Sequence, residues 1–228
     1  MENMQHDTEE SVEQTLDDES KEYAHFLKLD DEKKERILKA AYDEFLEKGY
    51  NEASTNIITQ KADISKGLLF RYFGCKQGLY KFLMKESSQR IMREVLTELP
   101  TQSGDVFAII ESTVQLKIRV CLRLPKETSF LIAVRETNLS EELSQELKMI
   151  NALSGNYFET LIDLLDGSLL RDGVEKDIAA EIISWVCEKY ADKMLSSGML
   201  GTKEERWKSV TEGLNRYMEA LRHGLYKS

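Results

Sequence analysis

Residues that interrupt helices are scarce in this chain. Its 228 residues include only 2 prolines and 12 glycines, whereas proteins built from many short strands need such residues at their frequent turns. Apolar residues recur instead at spacings of three and four over long stretches, which is the period of a helix with one buried face. We therefore expect an all-α fold and exclude an all-β sandwich or barrel.

The hydropathy pattern also bears on location. No apolar run of the sequence approaches the roughly 18 residues that a membrane-spanning helix requires. The N-terminus is acidic, whereas a signal peptide begins with basic residues that an apolar run follows. We therefore expect a protein of the cytoplasm that has no membrane partner.

The net charge of -10 is distributed unevenly along the chain. Residues 1–22 hold nine acidic side chains against Lys21 alone, and they show no helical apolar pattern. We assign residues 1–29 to an acidic, disordered tail, which either keeps the protein in solution or competes for a basic surface elsewhere. Residues 54–85 hold six basic side chains against Asp63 alone. Such a local excess is expected of a DNA-contacting surface, although a solvated helix face also collects lysines.

Residues that cap or end helices predict three helices within residues 31–73. A first helix is predicted over residues 31–48, where Gly49 offers the left-handed conformation that ends a helix. Ser54 or Thr55 supplies the N-cap of a second helix, and Ser65 supplies the N-cap of a third. Two helices of about two turns joined by roughly three residues have the lengths of a helix-turn-helix, here residues 54–73.

The motif residues resemble a known family. The run Ser-Thr-Asn-Ile-Ile from Ser54 and the run Ser-Lys-Gly-Leu-Leu-Phe-Arg-Tyr-Phe-Gly-Cys-Lys from Ser65 closely resemble the DNA-binding unit of the TetR/AcrR family of bacterial transcription regulators. The resemblance is specific over residues 31–91 and is limited to helical character beyond them. It implies a three-helix DNA-binding domain over residues 30–91, then a helical bundle over residues 92–228 that binds an effector and dimerises. The implied function is a repressor that a small molecule releases from a palindromic operator, with activation left open.

Ten residues are predicted to contact double-stranded DNA. They are Ser54, Thr55, Asn56, Ser65, Lys66, Gly67, Leu68, Arg71, Tyr72 and Lys76. A helix laid in the major groove needs a slim N-terminal end near the bases. Lys66 can donate to a guanine edge and Leu68 can meet a thymine methyl group. Gly67 lets the backbone approach, although a glycine is also tolerated in a first helical turn.

The phosphate contacts follow from the resemblance. It places them at Arg71, Tyr72 and Lys76, while the hydroxyl and amide groups of residues 54–56 lie at the positive end of a helix dipole.

Two positions depart from the family pattern. Asp63 stands where glycine commonly forms the turn, and Cys75 stands where a better N-cap usually begins the next helix. Because Cys75 lies beside Lys76 at a helix N-terminus, an oxidisable thiol is a minor hypothesis.

The C-terminal part carries two further predictions. The last two helices, about residues 177–222, repeat apolar residues at spacings of three and four, so we expect them to pair with a second copy in a homodimer. Candidates for the wall of an effector pocket mix aromatic and polar groups. They are Phe107, Arg119, Phe130, Arg135, Tyr157, Phe158 and Trp185, although most are equally compatible with ordinary core.

The sequence offers little for catalysis. It shows no Ser/His/Asp set, phosphate-binding loop or metal-ligand spacing, and its 3 cysteines and 3 histidines are scattered. We predict no enzymatic activity, no metal site and no cofactor.

The alternative to a DNA-binding regulator is a helical adaptor whose basic segment binds an acidic protein. Steep salt dependence and base-pair preference separate the two.

Overall fold

We describe residues 23–98, 105–150, 165–196 and 204–226 in a computed structural model of the protein. The fold is all-α, as the sequence predicts. The chain divides into two compact units, with the boundary between Leu83 and Met84. Residues 1–22, which the sequence analysis assigns to the tail, lie outside the described residues.

The described part of the first unit consists of helices around one core. They are α1 (Ala24–Leu27), α2 (Asp31–Glu52), α3 (Thr55–Ala62), α4 (Lys66–Phe73) and the start of α5 (Lys76–Thr97). Helix α2 is capped by Asp30, whose carboxylate accepts a hydrogen bond from the Lys33 backbone N–H at 2.9 Å. The helix is interrupted at Gly49, where φ is 70°. The prediction that Gly49 ends the first regular helix is therefore confirmed, and one further turn follows it.

From their spacing in the sequence, six apolar residues are predicted to form the core of the first unit, namely Ala41, Phe45, Ile58, Ile64, Leu69 and Phe73. Ala41, Phe45, Ile58, Leu69 and Phe73 are all buried. Of the predicted set, Ile64 is only partly buried. Because these residues come from α2, α3 and α4, one apolar cluster packs the helix-turn-helix against α2.

Residues 23–29 correct the predicted extent of the tail. Tyr23 and Phe26 are buried, and Phe26 is 2% exposed. The Phe26 ring centroid lies 4.9 Å from that of Phe73 and 5.0 Å from that of Phe82. Sequence reasoning missed α1 because a helix of four residues is too short to show a helical period.

The second unit is also built from helices. Its described elements are the rest of α5, α6 (Val106–Arg123), α7 (Pro125–Glu136), α8 (described over residues 141–150), a 3-10 turn (Gly167–Leu169), α9 (Lys176–Ser196) and α10 (Glu204–Leu225). Helices α9 and α10 pack together, and the Tyr190 hydroxyl donates to the Val210 carbonyl oxygen at 2.8 Å. The guanidinium of Arg171 donates to the carbonyl oxygens of His223 and Tyr226, both at 2.7 Å. These bonds satisfy carbonyl groups that the end of α10 leaves without helical partners.

Two ion pairs tie the C-terminal half of α5 to its neighbours in the second unit. Arg90 Nη1 lies 2.9 Å from Oε1 of the buried Glu127 on α7, and Lys85 Nζ lies 3.3 Å from Oε1 of Glu146 on α8. Partly buried pairs of this kind are sensitive to geometry, because a separated partner leaves a charge in a poorly solvated place. They therefore restrict where α5 can lie in this unit.

No helix within the four described ranges is both long and apolar enough to cross a bilayer. Within the same ranges, no group of three or more His, Cys, Asp or Glu side chains is arranged to hold a metal ion.

We predict that Phe26→Ala destabilises the first unit by about 3–5 kcal/mol, because it removes a ring from the aromatic core. The adjacent Leu27 is 44% exposed, so Leu27→Ala is the matched control and should change stability by less than about 0.5 kcal/mol. Trp185 and Trp207 both lie in the second unit. The measurement is therefore native-state hydrogen exchange of the α4 amides rather than tryptophan fluorescence. Equal protection in the two variants would contradict the structural role of α1.

Candidate DNA-binding site

The turn between α3 and α4 is closed by Asp63. This residue has φ 53° and ψ 51°, the left-handed conformation that glycine adopts without strain and that Asp tolerates better than most residues. The backbone N–H of Ile64 then donates to the Thr59 carbonyl oxygen at 3.1 Å. The departure from glycine at this position therefore leaves the turn geometry intact, and residues 54–73 form the predicted helix-turn-helix.

Helix α4 is held at both of its ends. At its start the Ser65 hydroxyl accepts a hydrogen bond from the Leu68 backbone N–H at 3.2 Å, which confirms the predicted N-cap. At its end Gly74 has φ 70°. The first turn of α5 then passes so close that a Cβ atom on Gly78 would overlap the Phe73 carbonyl oxygen. Only glycine at residue 78 permits this approach.

The start of α3 is held by a buried carboxylate rather than by a side-chain cap. Ser54 occupies the N-cap position, but its hydroxyl makes no capping bond. Its backbone N–H donates instead to Oε1 of Glu44 at 3.0 Å, and Oε2 of Glu44 lies 3.4 Å from Lys61 Nζ. Glu44 is 3% exposed. Sequence reasoning missed this positioning residue, because a glutamate in a helix is ordinarily a surface residue and the ten-residue separation from Ser54 has no local pattern.

One face of α4 is exposed and cationic. Lys66, Gly67, Phe70 and Arg71 are exposed, at spacings that place them on a single face. The opposite face holds the buried Leu69, Tyr72 and Phe73. In the part of the chain that the structure describes, neither Lys66 nor Arg71 takes part in an ion pair, and α4 contains no acidic residue. Positive charge on this face is therefore available to an outside partner.

Phe70 is a surface feature that the sequence predictions omit. Its ring is 37% exposed and lies 5.6 Å from Lys66 Nζ, in a cation-π contact. Ile57 on α3 is 38% exposed. Large apolar side chains in a basic surface suit the methyl groups of thymine. The spacing of Phe70 four residues after Lys66 is the signal that could have placed it on the exposed face.

Two of the predicted phosphate contacts have another role in the fold. Tyr72 is 6% exposed, and its ring packs against Phe26 with 6.1 Å between centroids. The Lys76 ammonium donates to the carbonyl oxygens of Asn51 and Ala53, both at 2.9 Å. The structure thus commits these two side chains to core packing and loop closure. The remaining predicted contacts, among them the exposed Asn56 and the partly buried Ser54, Thr55 and Leu68, stay predictions.

Five of the seven candidate pocket residues lie among the described residues. Phe107 and Phe130 are buried, whereas Arg119 and Arg135 are exposed. Tyr157 and Phe158 lie outside the described residues. Trp185 is 56% exposed on the side of α9 that faces away from the core. Its place in the wall of an effector pocket stays a prediction.

The comparisons with known proteins bear on the helix-turn-helix. Residues 37–82 match the family model described as bacterial regulatory proteins, tetR family. The helix-turn-helix region of this chain is therefore similar to that of the TetR family. It is 27% identical over 188 residues to the HTH-type transcriptional regulator BetI of Vibrio campbellii, a match that covers 72% of this chain and 92% of the relative. It is also 42% identical over 53 residues to the uncharacterized HTH-type transcriptional regulator YvkB of Bacillus subtilis, covering 23% of this chain and 28% of the relative.

Solved structures share the fold. A TetR/AcrR-family transcriptional regulator of Aquifex aeolicus superimposes with a TM-score of 0.60 at 20% identity, over 83% of this chain and 99% of the other. A TetR-family regulator of Chloroflexus aurantiacus gives a TM-score of 0.56 at 20% identity, over 90% and 98% of the two chains. The match to the family model and the relatives that are transcriptional regulators support a DNA-binding transcriptional regulator. The family model therefore points to a regulator rather than to an enzyme.

We predict that Gly67→Ala lowers DNA affinity without lowering stability. Inside the protein a Cβ atom on Gly67 would meet nothing closer than Ser65 Oγ at 4.0 Å, and alanine favours helices by up to about 1 kcal/mol. The matched control is Gly224→Ala, since Gly224 also lies in a helix with open space around its Cα. Thermal unfolding and titration of a bound duplex give the two readouts. Unchanged affinity would mean that Gly67 is only tolerated in the first turn.

Proposed function

We propose that this chain is a TetR-family regulator and acts as a homodimeric repressor of the cytoplasm that a small-molecule effector releases from a palindromic operator. The observation that carries the proposal is the exposed face of α4. Lys66 and Arg71, which form no ion pair with any described residue, lie there beside the Phe70 ring, on a helix whose two ends are held by Ser65 and by the turn at Gly74. A single helix of this kind fits the major groove of B-form DNA, and the two copies in a dimer would enter grooves about 34–36 Å apart.

The contacts divide by chemistry along this helix. Lys66, in the first turn, donates to a guanine edge, and Gly67 beside it allows the backbone to approach the bases. Phe70 meets a thymine methyl group. Arg71, one position further round the exposed face, binds a phosphate oxygen, which fixes register without reading sequence.

We expect Lys66→Ala to lower operator affinity by about 1–3 kcal/mol and to relax base preference at one position. Arg71→Ala should weaken binding to all duplexes and reduce the salt slope by about 1. The measurement is selection of bound fragments from genomic DNA, followed by titration of the selected duplex at several salt concentrations. Lys48→Ala is the control, because Lys48 is exposed, pairs with Glu47 at 2.8 Å and lies outside the helix-turn-helix. If both α4 variants selected the same fragments with the affinity of the unchanged protein, this face would not be the DNA-binding face.

The homodimer is supported by the two apolar faces of α9. Ala179, Ile183 and Tyr190 face the core of the unit. On the opposite face Ile178 is 50% exposed and Trp185 is 56% exposed. Exposed apolar side chains at a spacing of seven form a stripe along the helix, which is the pattern of a helix that packs against a partner.

We predict that Trp185→Glu converts the dimer to monomer at micromolar concentration, because it places a charge in the middle of an apolar interface. Glu188→Gln, at an exposed position one turn further along α9, is the matched control and should leave the dimer intact. Sedimentation velocity measures both. A dimer that persists in Trp185→Glu with unchanged dissociation would remove this face as the interface.

An effector site inside the second unit is supported by polar groups in its interior. The Thr113 hydroxyl on α6 is buried and has no hydrogen-bond partner among the described residues. One turn further along the same face of α6, burial lowers the pKa of the Lys117 ammonium. Burial also raises the pKa of the Cys121 thiol above its usual value. It raises the pKa of the Cys187 thiol to about 11. Both thiols therefore stay protonated near neutral pH, which favours binding of a polar effector over thiol chemistry at these positions.

Helix α5 provides a route from effector to operator. It runs from Lys76 to Thr97 and so belongs to both units of the chain. In the second unit it is held by the Arg90–Glu127 and Lys85–Glu146 pairs. An effector that changes these pairs would change the orientation of α5. The distance between the two copies of α4 in the dimer would change as a result.

A further inference from the structure

The acidic N-terminal segment joins the first unit beside α4, the second helix of the helix-turn-helix. The first described residue is Tyr23, whose ring centroid lies 6.2 Å from that of Phe73, the last residue of α4. Phe26, three residues later, lies 4.9 Å from the same ring. Because both aromatic side chains are buried, residues 1–22 are attached to the protein at a fixed point next to the end of α4.

The segment and the helix carry opposite charge. Residues 1–22 contain nine carboxylates and one lysine. The exposed face of α4 presents Lys66 and Arg71, which make no ion pair with any described residue. Helix α4 itself contains no acidic residue that would neutralise them. A run of carboxylates therefore offers this face the same kind of partner as a run of phosphates.

The length of the segment is sufficient to reach every position of α4. A helix of 8 residues is about 12 Å long, whereas 22 residues of extended chain span up to about 70 Å. A segment tethered this close to its target has an effective concentration on the order of millimolar. Even weak charge pairing would then occupy the face for much of the time in the absence of DNA.

We propose that residues 1–22 bind the cationic face of α4 in the DNA-free protein and compete with DNA for it. The inference rests on the proposed DNA-binding role of this face. DNA must displace the segment in order to bind, so the full chain binds any duplex more weakly than a chain without the segment. Since charge pairing weakens with added salt, the competition is strongest at low ionic strength.

The first experiment compares the full chain with two variants. One lacks residues 1–22, and the other keeps their length but has all nine carboxylates changed to the corresponding amides. Binding of a labelled random-sequence duplex is measured by fluorescence anisotropy at low and at high salt. Both variants should bind on the order of tenfold more tightly than the full chain at about 50 mM salt and equally at about 300 mM. Equal affinities of all three proteins at low salt would overturn the proposal.

A second experiment separates docking from general repulsion between an acidic segment and DNA. Amide resonances of Lys66, Gly67 and Arg71 are compared between the full chain and the shortened variant without DNA. If the segment docks, these resonances differ, and a synthetic peptide of residues 1–22 added to the shortened variant restores the shifts and displaces the duplex. The all-amide peptide is the control and should do neither. Unchanged α4 resonances, with no displacement by the acidic peptide, would overturn docking even if the deletion raised affinity.

The two proposals fail in different ways. If the shortened variant bound no duplex at low salt while its α4 resonances still responded to the acidic peptide, the DNA-binding role of α4 would be wrong and docking would stand. If the shortened variant bound duplex with the same affinity as the full chain, the proposed competition between residues 1–22 and DNA would be wrong. The DNA-binding role of α4 would stand.

Discussion

The aromatic cluster around Phe73 is the constraint on which the DNA-binding unit depends. The rings of Phe26 and Phe82 lie 4.9 and 5.2 Å from that of Phe73. Together they bury one side of α4 with elements that come before and after it in the chain. A helix of 8 residues is too short to be stable alone in water, so packing decides its existence. The exposed cationic face is therefore a consequence of how completely the opposite face is buried.

Polar interactions then set the position of the two helices of the motif. The Glu44 carboxylate binds the Ser54 backbone N–H at the start of α3, and the Ser65 hydroxyl binds the Leu68 N–H at the start of α4. Each satisfies a donor that a helix start leaves without a partner. Arg36 of α2 adds a third contact, because its Nε donates to the Ala62 carbonyl oxygen at 2.9 Å at the end of α3. Recognition of DNA bases by side chains requires such fixed geometry, because hydrogen bonds to base edges tolerate little displacement of the side chains.

The second unit combines an ordinary core with features that a core does not need. Helix α9 is apolar on the face that packs inward and also around Trp185 on the opposite face. Helix α6 carries the buried Thr113, whose hydroxyl has no hydrogen-bond partner among the described residues, on the face that lies between two apolar clusters. Burying polar groups costs stability unless they are partnered. The first feature suits a second copy of the chain, and the second suits a polar effector.

The sequence by itself determined the local structure of the motif. Gly49, Asp63, Ser65 and Gly74 mark its boundaries, because their backbone and capping preferences act within a few residues. The apolar spacing likewise identified most of the core, since a helical period depends only on neighbours along the chain. The family pattern located the recognition helix from its own residues.

Only the tertiary structure decided which side chains remain for an outside partner. It brought Phe26 from a segment without helical period onto Phe73, and it placed Lys76 on the carbonyl groups of Asn51 and Ala53, 25 and 23 residues away. It also left Phe70 at the surface and turned Trp185 away from the core. Contacts between residues far apart in sequence depend on how helices pack together. A local pattern carries no information about that packing.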